Sequence, residues 1–597
     1  MPKYKAPLRD YKFVMQEMLN CENHYLTLGY EDATTDMVDA ILSEAAKFTE
    51  QVIAPINQIG DQQGCQWDLG TVTTPDGFKE AYSQYVEGGW PTLAQDKEIG
   101  GQGLPHSLNT VVSEMFSAAN HSFAMYPGLS HGCISTIERY ASDKQKNMFL
   151  PKLVEGTWTG TMCLTEAHCG TDLGLLRTKA ELNEDGSYRL NGSKIFISAG
   201  EHDLSENIVH IVIARIPGSP EGTKGISLFV VPKFNINEEG EIVARNGVNC
   251  GSIEHKMGIH GNSTCVINFD DAKGYLIGEV NKGLRCMFTF MNGARLGVAN
   301  EGVSASEAAF QGSLAYAKER LQMRSMTGSK NPDGPADPII VHPDVRKMLL
   351  TQKSFAEGGR AMVAELAHLV DNTYSSKDPK VLAVTESKLA LLTPIAKAFL
   401  TETGLESANH GIQVFGGHGF IQEWGMEQLV RDTRICCLYE GTTGIQALDL
   451  LGRKVIGSQG ELLEIYLNEI EDFLTTMDEA SMPKPCATLQ QYVNQWRELT
   501  ESISVKAQES ADEIGAASVD YLMFSGYVCL AYYWLKMMLT AKSKLENNIS
   551  DSEFYQAKIN TGKFYFDRVL PRAKGHAACI DAGAESMMQL DPEHFSF

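Results

Sequence analysis

The apolar positions along the chain change their spacing twice. Over residues 36–155 they recur at i, i+3 and i+4, which predicts amphipathic helices. After Gly160 short apolar runs take over, including IVHIVIARI from Ile208 and ISLFVVP from Ile226, and these runs predict β-strands. After Gly283 the helical spacing returns and continues toward the C-terminal end. We therefore expect a mainly α-helical protein with a central β domain.

The β region also contains turn signals. The segment ELNEDGSYRLNGSKIFIS carries two of them, Glu184-Asp185-Gly186 and Asn191-Gly192, each flanked by alternating residues. Both signals predict hairpins. A further run, TCVINFD from Thr264, predicts another strand.

These changes of pattern divide the chain into five segments. They are an N-terminal lead segment (1–35), an N-terminal helical domain (36–160), a central β domain (161–278), a helical bundle domain (279–454) and a C-terminal helical extension (455–597). A length of 597 residues agrees with several domains, since one domain usually has about 150 residues.

The charge excludes one class of partner. The chain has 51 basic and 75 acidic residues, for a net charge of -24. A chain this acidic does not bind nucleic acid or anionic lipid through its overall charge. We expect any anionic ligand to be held by a local site.

The cysteines and the N-terminal residues predict a cytoplasmic protein. Thirteen cysteines are spread thinly without a CxxC pair, and MPKYKAPLRDYKF lacks the apolar region of a secretion signal. The most apolar stretch, residues 521–535, has 15 uncharged residues, whereas a membrane-spanning helix needs roughly 18–20. We expect it to be a buried helix of a bundle, without stable membrane insertion.

Several standard catalytic motifs are missing from the sequence. It contains no HExxH, GxxxxGK[ST] or zinc-spaced Cys/His set, so no metal site is predicted. Two glycine clusters, residues 100–103 and 416–419, resemble nucleotide-binding loops, but neither follows a predicted strand within a βαβ unit. Each cluster taken alone is more typical of a turn.

Six motifs in order carry a family resemblance. They are CLTEAHCGTD (163–172), SKIFISAG (193–200), HKMGIHGNST (255–264), MNGARLGVAN (291–300), YAKERLQMR (316–324) and QVFGGHGFIQEWGMEQLVRDTRICCLYEGTTGIQ (413–446). Over about residues 36–454 this set resembles the acyl-CoA dehydrogenase flavoprotein family. The residues after Val455 resemble the extra helical domain of its longer members, such as the 3-methylmercaptopropionyl-CoA dehydrogenases. The resemblance implies a helical domain, a β-barrel-like domain and a helical bundle, followed by that extra domain.

The resemblance also implies a reaction of fatty acid metabolism and β-oxidation. It is the FAD-dependent α,β-dehydrogenation of an acyl-CoA thioester to a trans-2-enoyl-CoA, with a β-hydride passing to flavin N5 and electrons passing to an electron-transfer flavoprotein. Glu440 matches the catalytic base that takes the α-proton. Some members carry the base immediately before the arginine that Arg295 matches, but here that position is Ala294, which cannot accept a proton. Arg295 and Gly441 are expected to organise the substrate site.

Other matched positions are implied FAD contacts. They are Leu164, Thr165, Gly170, Thr171, Phe196, Ser198, Arg320, Gln413, Gly416, Gly417 and Thr442. Phe196 and Ser198 replace the family's usual Trp and Thr but keep an aromatic face and a hydroxyl, whereas Gly444 replaces a usual Gln, so that contact is not expected. Arg320 matches an arginine that reaches the FAD of a neighbouring subunit. A homo-oligomer, either a dimer or a tetramer, is therefore implied.

Several alternatives stay open. The same scaffold serves acyl-CoA oxidases, which use oxygen, and 3-methylmercaptopropionyl-CoA dehydrogenation is a possible specific activity. A non-catalytic DNA-associated relative is disfavoured, because the segment from Ile456 onward has 11 basic and 21 acidic residues, 11 − 21 = −10. The same acidity disfavours a membrane-attached very-long-chain enzyme, which would need a basic amphipathic helix.

Overall fold

A computed structural model describes residues 3–237, 239–476, 482–547 and 550–597. The chain forms two compact units. One unit comprises residues 43–297, and the other comprises the residues up to 42 together with those from 298 onward. The secondary structure is mainly helical with a central β region, which confirms the predicted fold class.

The α-helices occupy both ends of the chain. In chain order they are α1 (Leu8–Lys12), α2 (Cys21–Leu28), α3 (Thr35–Phe48), α4 (Asn57–Gln63), α5 (Phe78–Glu87), α6 (His106–Ala119), α7 (His121–Tyr140), α8 (Asp143–Glu155), α9 (Gly283–Glu319), α10 (Pro343–Ser375), α11 (Pro379–Phe415), α12 (Met426–Arg434), α13 (Thr443–Leu448), α14 (Glu461–Thr476), α15 (Pro483–Lys506), α16 (Asp512–Glu546), α17 (Ser552–Phe564), α18 (Ala573–Ala582) and α19 (Glu585–Met588).

Short polar signals begin several of these helices. Ser142 and Gln145 form a reciprocal capping box at the start of α8. The Asp378 side chain accepts a hydrogen bond from the backbone N–H of Lys380, and Pro379 occupies the first position of α11. These ends therefore follow from local sequence chemistry.

The strands lie in the unit of residues 43–297. They are β1 (Gln66–Asp68), β2 (Thr71–Thr73), β3 (Trp158–Cys163), β4 (Lys179–Leu182), β5 (Tyr188–Ser198), β6 (Asn207–Arg215), β7 (Ile226–Pro232), β8 (Phe234–Ile236), β9 (Ile242–Arg245), β10 (Val248–Ile253) and β11 (Thr264–Ile277). In the main sheet the pairings β11-β5-β4-β6-β7 return to β11 and so close a ring. Almost every residue of β6 and β7 is buried, as their continuous apolar runs predict.

One predicted hairpin is confirmed and the other is wrong. The loop around Asp185 joins β4 to β5, whose residues Leu182 and Tyr188 pair across the ladder. The Asn191-Gly192 signal instead lies inside β5. A Cβ at Gly192 would come within 2.9 Å of the Cα of Thr178, so the glycine permits a close backbone approach within a continuous strand.

The predicted N-terminal helical domain contains an unpredicted hairpin. Strands β1 and β2 pair antiparallel, with Trp67 opposite Val72. The indole N–H of Trp67 donates to the backbone carbonyl of Cys250 at 3.1 Å, and Val72 is buried with residues of the main sheet. Three-residue strands are too short to show alternation, which explains why the sequence pattern missed them.

Helix α16 is long and apolar enough to cross a membrane, and 67% of its most apolar window is buried inside the protein. Its residues Tyr521, Cys529 and Leu535 are fully buried. The prediction that this stretch is a buried bundle helix is therefore confirmed.

A buried charge network ties the N-terminal segment to α10 and α17. Asp10 forms ion pairs with Arg360 and Lys558. Arg360 also pairs with Glu307 at 2.7 Å, and Lys558 pairs with Glu357 at 2.8 Å. Burial alone would raise the pKa of Asp10, but the two cations outweigh it and lower that pKa to about 2. The N-terminal segment is therefore docked through an ionised aspartate.

Candidate active site

The loop that carries Glu440 has an unusual backbone. Glu440 and Gly441 adopt positive φ values of 55° and 93°, one after the other. The left-handed region is unfavourable for a side chain such as glutamate, so surrounding contacts must hold it. A Cβ at Gly441 would lie 2.6 Å from Nε2 of Gln446, which makes glycine necessary there for space as well as conformation. We call residues 436–442 the base loop.

Polar side chains hold the base loop from several directions. Gln446 Nε2 donates to the backbone carbonyl of Glu440 at 2.9 Å. The Tyr439 hydroxyl donates to Glu301 Oε2 on α9 at 2.5 Å. Thr442 caps α13, because its hydroxyl oxygen accepts from the N–H of Ile445 at 3.3 Å.

A buried lysine completes these contacts. Lys397 Nζ on α11 donates to the carbonyls of Cys436 at 2.8 Å and Gly441 at 2.7 Å. Sequence reasoning missed Lys397, Gln446 and Glu301. A usable signal existed for Lys397, which is a lone cation within the apolar run IAKAF.

A second group of expected residues follows β3, in the unit of residues 43–297. Leu164 is buried and Thr165 half-buried, while Gly170 and Thr171 are exposed. The carbonyl of Thr165 accepts from the N–H of Ile195 at 2.9 Å, which joins this segment to β5.

A buried ion pair supports the same junction. Lys194 Nζ donates to the carbonyl of Leu164 and to Glu166 Oε1, both at 2.9 Å. The carboxylate of Glu166 also accepts from Arg177 N–H at 2.7 Å and from the Thr178 hydroxyl at 2.7 Å. Burial would raise the pKa of Glu166, but Lys194 and these donors lower it to about 2. Sequence reasoning missed this pair as well.

Phe196 protrudes from a β-bulge. Ile197 pairs with Cys265 and Lys194 pairs with Ile267, so two residues of β5 face a single residue of β11. Phe196 has a φ of 58°, and the residue is 59% exposed. The strand therefore presents an aromatic face at the surface in a backbone conformation that phenylalanine rarely adopts.

These residues fit a flavin. Ser198 is half-buried and pairs directly with Thr264, so their side chains lie on the same face of the sheet. Within the described part of the chain the buried Thr264 hydroxyl has no hydrogen-bond partner. A presented ring, a hydroxyl and an unsatisfied buried hydroxyl suit an aromatic heterocycle with polar edges. The group would be held by Phe196 and Ser198 and by the segment of residues 164–171.

The remaining expected contacts lie in the other unit. Gln413, Gly416 and Gly417 are exposed at the end of α11, and Arg320 is exposed just after α9. Gly416 combines a φ of 59° with a ψ of −133°, a conformation almost restricted to glycine. No atom would contact a Cβ at Gly417 within 4 Å, so space does not explain that glycine.

An aromatic cluster, absent from the sequence predictions, joins these two helix ends. The Tyr316 ring on α9 stacks on Phe415 at 4.1 Å between centroids, and its hydroxyl lies 2.9 Å from Nδ1 of His418. His418 stacks in turn on Trp424 at 4.4 Å. The cluster fixes the Gly416-Gly417 turn to the same end of the bundle as Arg320.

Arg295 is nine-tenths buried in α9 and belongs to the unit of residues 43–297. Glu440, Gly441 and Thr442 belong to the other unit. The structure thus places most of the expected residues in three groups, around Phe196, around Glu440 and around Gly416.

Four family models match consecutive parts of the chain. They are the acyl-CoA dehydrogenase N-terminal domain (35–157), middle domain (161–272) and C-terminal domain (281–455), and the acetyl-CoA dehydrogenase C-terminal-like domain (466–591). The chain belongs to the acyl-CoA dehydrogenase family. It is an oxidoreductase and a flavoprotein whose cofactor is FAD.

Curated relatives match along nearly the whole chain. A 3-methylmercaptopropionyl-CoA dehydrogenase from Ruegeria pomeroyi is 39% identical over 588 residues, which cover 97% of this chain and 98% of the relative. A butyryl-CoA dehydrogenase from Syntrophomonas wolfei is 33% identical over 608 residues, or 99% of each chain. The predicted resemblance to the long form of the family is confirmed.

Solved structures share the fold. ACDH-11 from Caenorhabditis elegans, in complex with C11-CoA, superposes with a TM-score of 0.77 at 18% identity and covers 94% of this chain and 91% of its own. An acyl-CoA dehydrogenase from Bacillus anthracis, complexed with FAD, superposes with a TM-score of 0.74 at 22% identity and covers 93% and 89%. Because the coverage far exceeds residues 36–454, the shared fold includes most of the C-terminal extension.

Proposed function

We propose that this enzyme converts an acyl-CoA thioester to a trans-2-enoyl-CoA, with Glu440 as the base. The observation that carries the proposal is the base loop. Its glutamate is half-buried and kept in a left-handed conformation by a required glycine and by hydrogen bonds to the loop. Residues held in an unfavourable backbone conformation are concentrated at active sites, which supports a catalytic role for this glutamate.

The ionised carboxylate of Glu440 accepts the α-proton and becomes neutral, while the electron pair of the Cα–H bond enters the new Cα=Cβ bond. FAD, with its ring held by Phe196 and Ser198, would supply the acceptor for the β-hydride. The N–H of Glu440 is a donor for the thioester oxygen as negative charge develops there. A substrate bound against this half-buried loop would exclude further water, and a carboxylate with less water around it is a stronger base.

The FAD contacts remain those expected from the family motifs. We assign the ring to Phe196 and Ser198 and the segment of residues 164–171, and the phosphates and adenosine to Arg320, Gln413, Gly416 and Gly417. The exposure of Arg320 supports a contact to a neighbouring subunit, and hence a homo-oligomer. We also propose the division into five segments and an electron-transfer flavoprotein as the electron acceptor. A cytoplasmic location is supported by the thirteen cysteines, all of which are free thiols.

A specific observation favours one substrate within the class. The 39% identity to a 3-methylmercaptopropionyl-CoA dehydrogenase extends over the whole chain. We therefore include a methylthio-propionyl thioester beside straight-chain acyl-CoAs of varied length as a candidate substrate.

The test is turnover of this panel with an artificial electron acceptor, using wild type and Glu440→Gln. We expect wild type to act on at least one thioester, and the variant to keep its yellow FAD while losing turnover by at least about a thousandfold. Activity near the wild-type level in Glu440→Gln would contradict the base assignment. Reoxidation of the reduced enzyme in air separates an oxidase from a dehydrogenase.

A further inference from the structure

Lys397 is a buried cation that the proposed reaction does not yet use. It lies in the middle of α11 with no exposed surface, between the buried pairs Ile395-Ala396 and Ala398-Phe399. Placing an ammonium group in such surroundings is costly unless it is fully bonded. Its partners therefore indicate its role.

The ammonium group of Lys397 donates two hydrogen bonds to carbonyls of the base loop. The carbonyl of Cys436 precedes Glu440 by four residues, and the carbonyl of Gly441 follows it directly. One cation thus holds the loop on both sides of the glutamate. Gln446 holds the carbonyl of Glu440 itself, so two consecutive carbonyls of the left-handed turn have buried donors.

Several ionisable groups surround the loop. They are Glu402 on α11, Glu301 on α9, Arg434 on α12, and Cys436, Cys437, Tyr439 and Glu440 in the loop. Burial raises the pKa of Cys437 to about 11, and it raises the pKa values of Cys436 and Tyr439 well above their usual range. The thiols and the phenol are therefore neutral near pH 7.

The carboxylates already have defined partners on the protein. Glu301 accepts from the Tyr439 hydroxyl, and Glu402 accepts from the Thr443 hydroxyl at 2.5 Å. Burial lowers the pKa of Lys397, whereas the charges of Glu440 and Glu301 oppose that decrease. By reciprocity, a charged Lys397 favours the ionised form of Glu440.

We infer that Lys397 is a positioning residue for the base: its ammonium group holds carbonyls on both sides of Glu440, fixes the turn that carries this glutamate and places a positive charge beside the base loop. This inference rests on the proposed function, in which Glu440 takes the α-proton. A neutral side chain at position 397 would leave two carbonyls without their donor and would remove the positive charge from the base loop.

The test uses the holoenzyme with Lys397→Met and Lys397→Gln. Bound FAD is measured by absorbance, and its reduction by the most active thioester of the panel is followed by rapid mixing from pH 5 to pH 9. We expect wild-type FAD content and a rate at pH 7 at least about tenfold lower in Lys397→Met. Because a nearby cation lowers the pKa of a carboxylate, its loss should move the acidic limb of the rate profile upward by about one pH unit.

Lys397→Gln separates position from charge. Its amide can still donate to one carbonyl, so the rate should recover in part, while the shift of the pH profile should persist. It also carries the test if Lys397→Met does not fold. A wild-type pH profile in the folded neutral variants would overturn the inference.

A matched control lies on the same helix. Lys388 is also buried. Its ion-pair partners are Glu469 at 2.6 Å and Glu365 at 3.7 Å, which are not residues of the base loop. Lys388→Met should lower the unfolding temperature without moving the pH profile. If wild-type flavin is not reduced by any thioester, the proposed function fails; if it is reduced and Lys397→Met matches wild type, only the role of Lys397 fails.

Discussion

The base loop and the Phe196 bulge use the same backbone conformation but are held in different ways. Glu440 has a φ of 55° and Phe196 a φ of 58°. The base loop depends on side chains from three helices, which donate to its carbonyls or accept from its tyrosine. The Phe196 bulge depends on the ladder between β5 and β11 and on the buried Lys194–Glu166 pair, which joins β5 to the segment after β3.

The two kinds of support suit two different tasks. A bulge in a paired strand is rigid, which suits a ring that stacks on a bound cofactor. A loop held by separate side chains can be tuned electrostatically, which suits a group that gains a proton. Damage to the two regions should therefore be separable, with FAD lost from one and proton transfer lost from the other.

The largest expected effect on the bulge comes from Lys194→Met. Lys194 has no exposed surface, and its loss leaves the buried carboxylate of Glu166 without its cation. Breaking one side of a buried ion pair costs about 3 kcal/mol or more. We expect a marked fall in unfolding temperature and in the FAD-to-protein ratio, both measured on the purified enzyme.

Lys273→Met is the control for this variant. Lys273 on β11 pairs with Asp185 in the loop between β4 and β5 at 2.8 Å, but both side chains are exposed. This variant should keep its FAD and nearly its full unfolding temperature. An equal loss in the two variants would show that the buried pair has no special role.

A smaller effect separates the backbone of Phe196 from its ring. Phe196→Ala and Phe196→Gly both remove the aromatic face, so both should weaken FAD binding by about tenfold in titrations. Glycine adopts a positive φ without strain, so the glycine variant should be more stable than the alanine variant by about 1 kcal/mol. Equal stability of the two variants would mean that position 196 carries no backbone strain.

Much of this arrangement could be predicted from the sequence. The continuous apolar runs of β6 and β7 and the helical spacing after Gly283 are strong local patterns, and the structure confirms them. Ordered motifs were sufficient to name Glu440 and Phe196 as candidates. The Asn191-Gly192 turn was wrong because the same dipeptide also suits a close approach of two backbones, which only the Thr178 contact reveals.

The supporting residues could not be predicted in the same way. Lys194 meets Glu166 across 28 positions of sequence, and Lys397 meets Gly441 across 44. Nothing local in the sequence specifies which distant carbonyl a buried lysine will contact. The charge network around Asp10 has the same origin, since its partners lie 350 and more residues away. These contacts follow from the tertiary fold.

The smallest expected effect is a pH dependence within the unit that carries Phe196. His260 Nδ1 lies 2.9 Å from Asp61 Oδ1, and its Nε2 lies 2.8 Å from the carbonyl of Lys256. Both nitrogens face acceptors, so the ring is an imidazolium, and its bond to Asp61 outweighs burial and raises the pKa of His260 to about 9. Because the folded-state pKa exceeds the ordinary value of 6.5, the stabilisation is complete below pH 6.5 and disappears as pH rises through 9.

Asp61→Asn should therefore lower the free energy of unfolding by about 0.5–1 kcal/mol at pH 6 and by almost nothing at pH 10, since the pair is partly exposed and screened. Thermal unfolding of both proteins across this range measures the difference, and a gap that does not narrow with rising pH would contradict the charged ring.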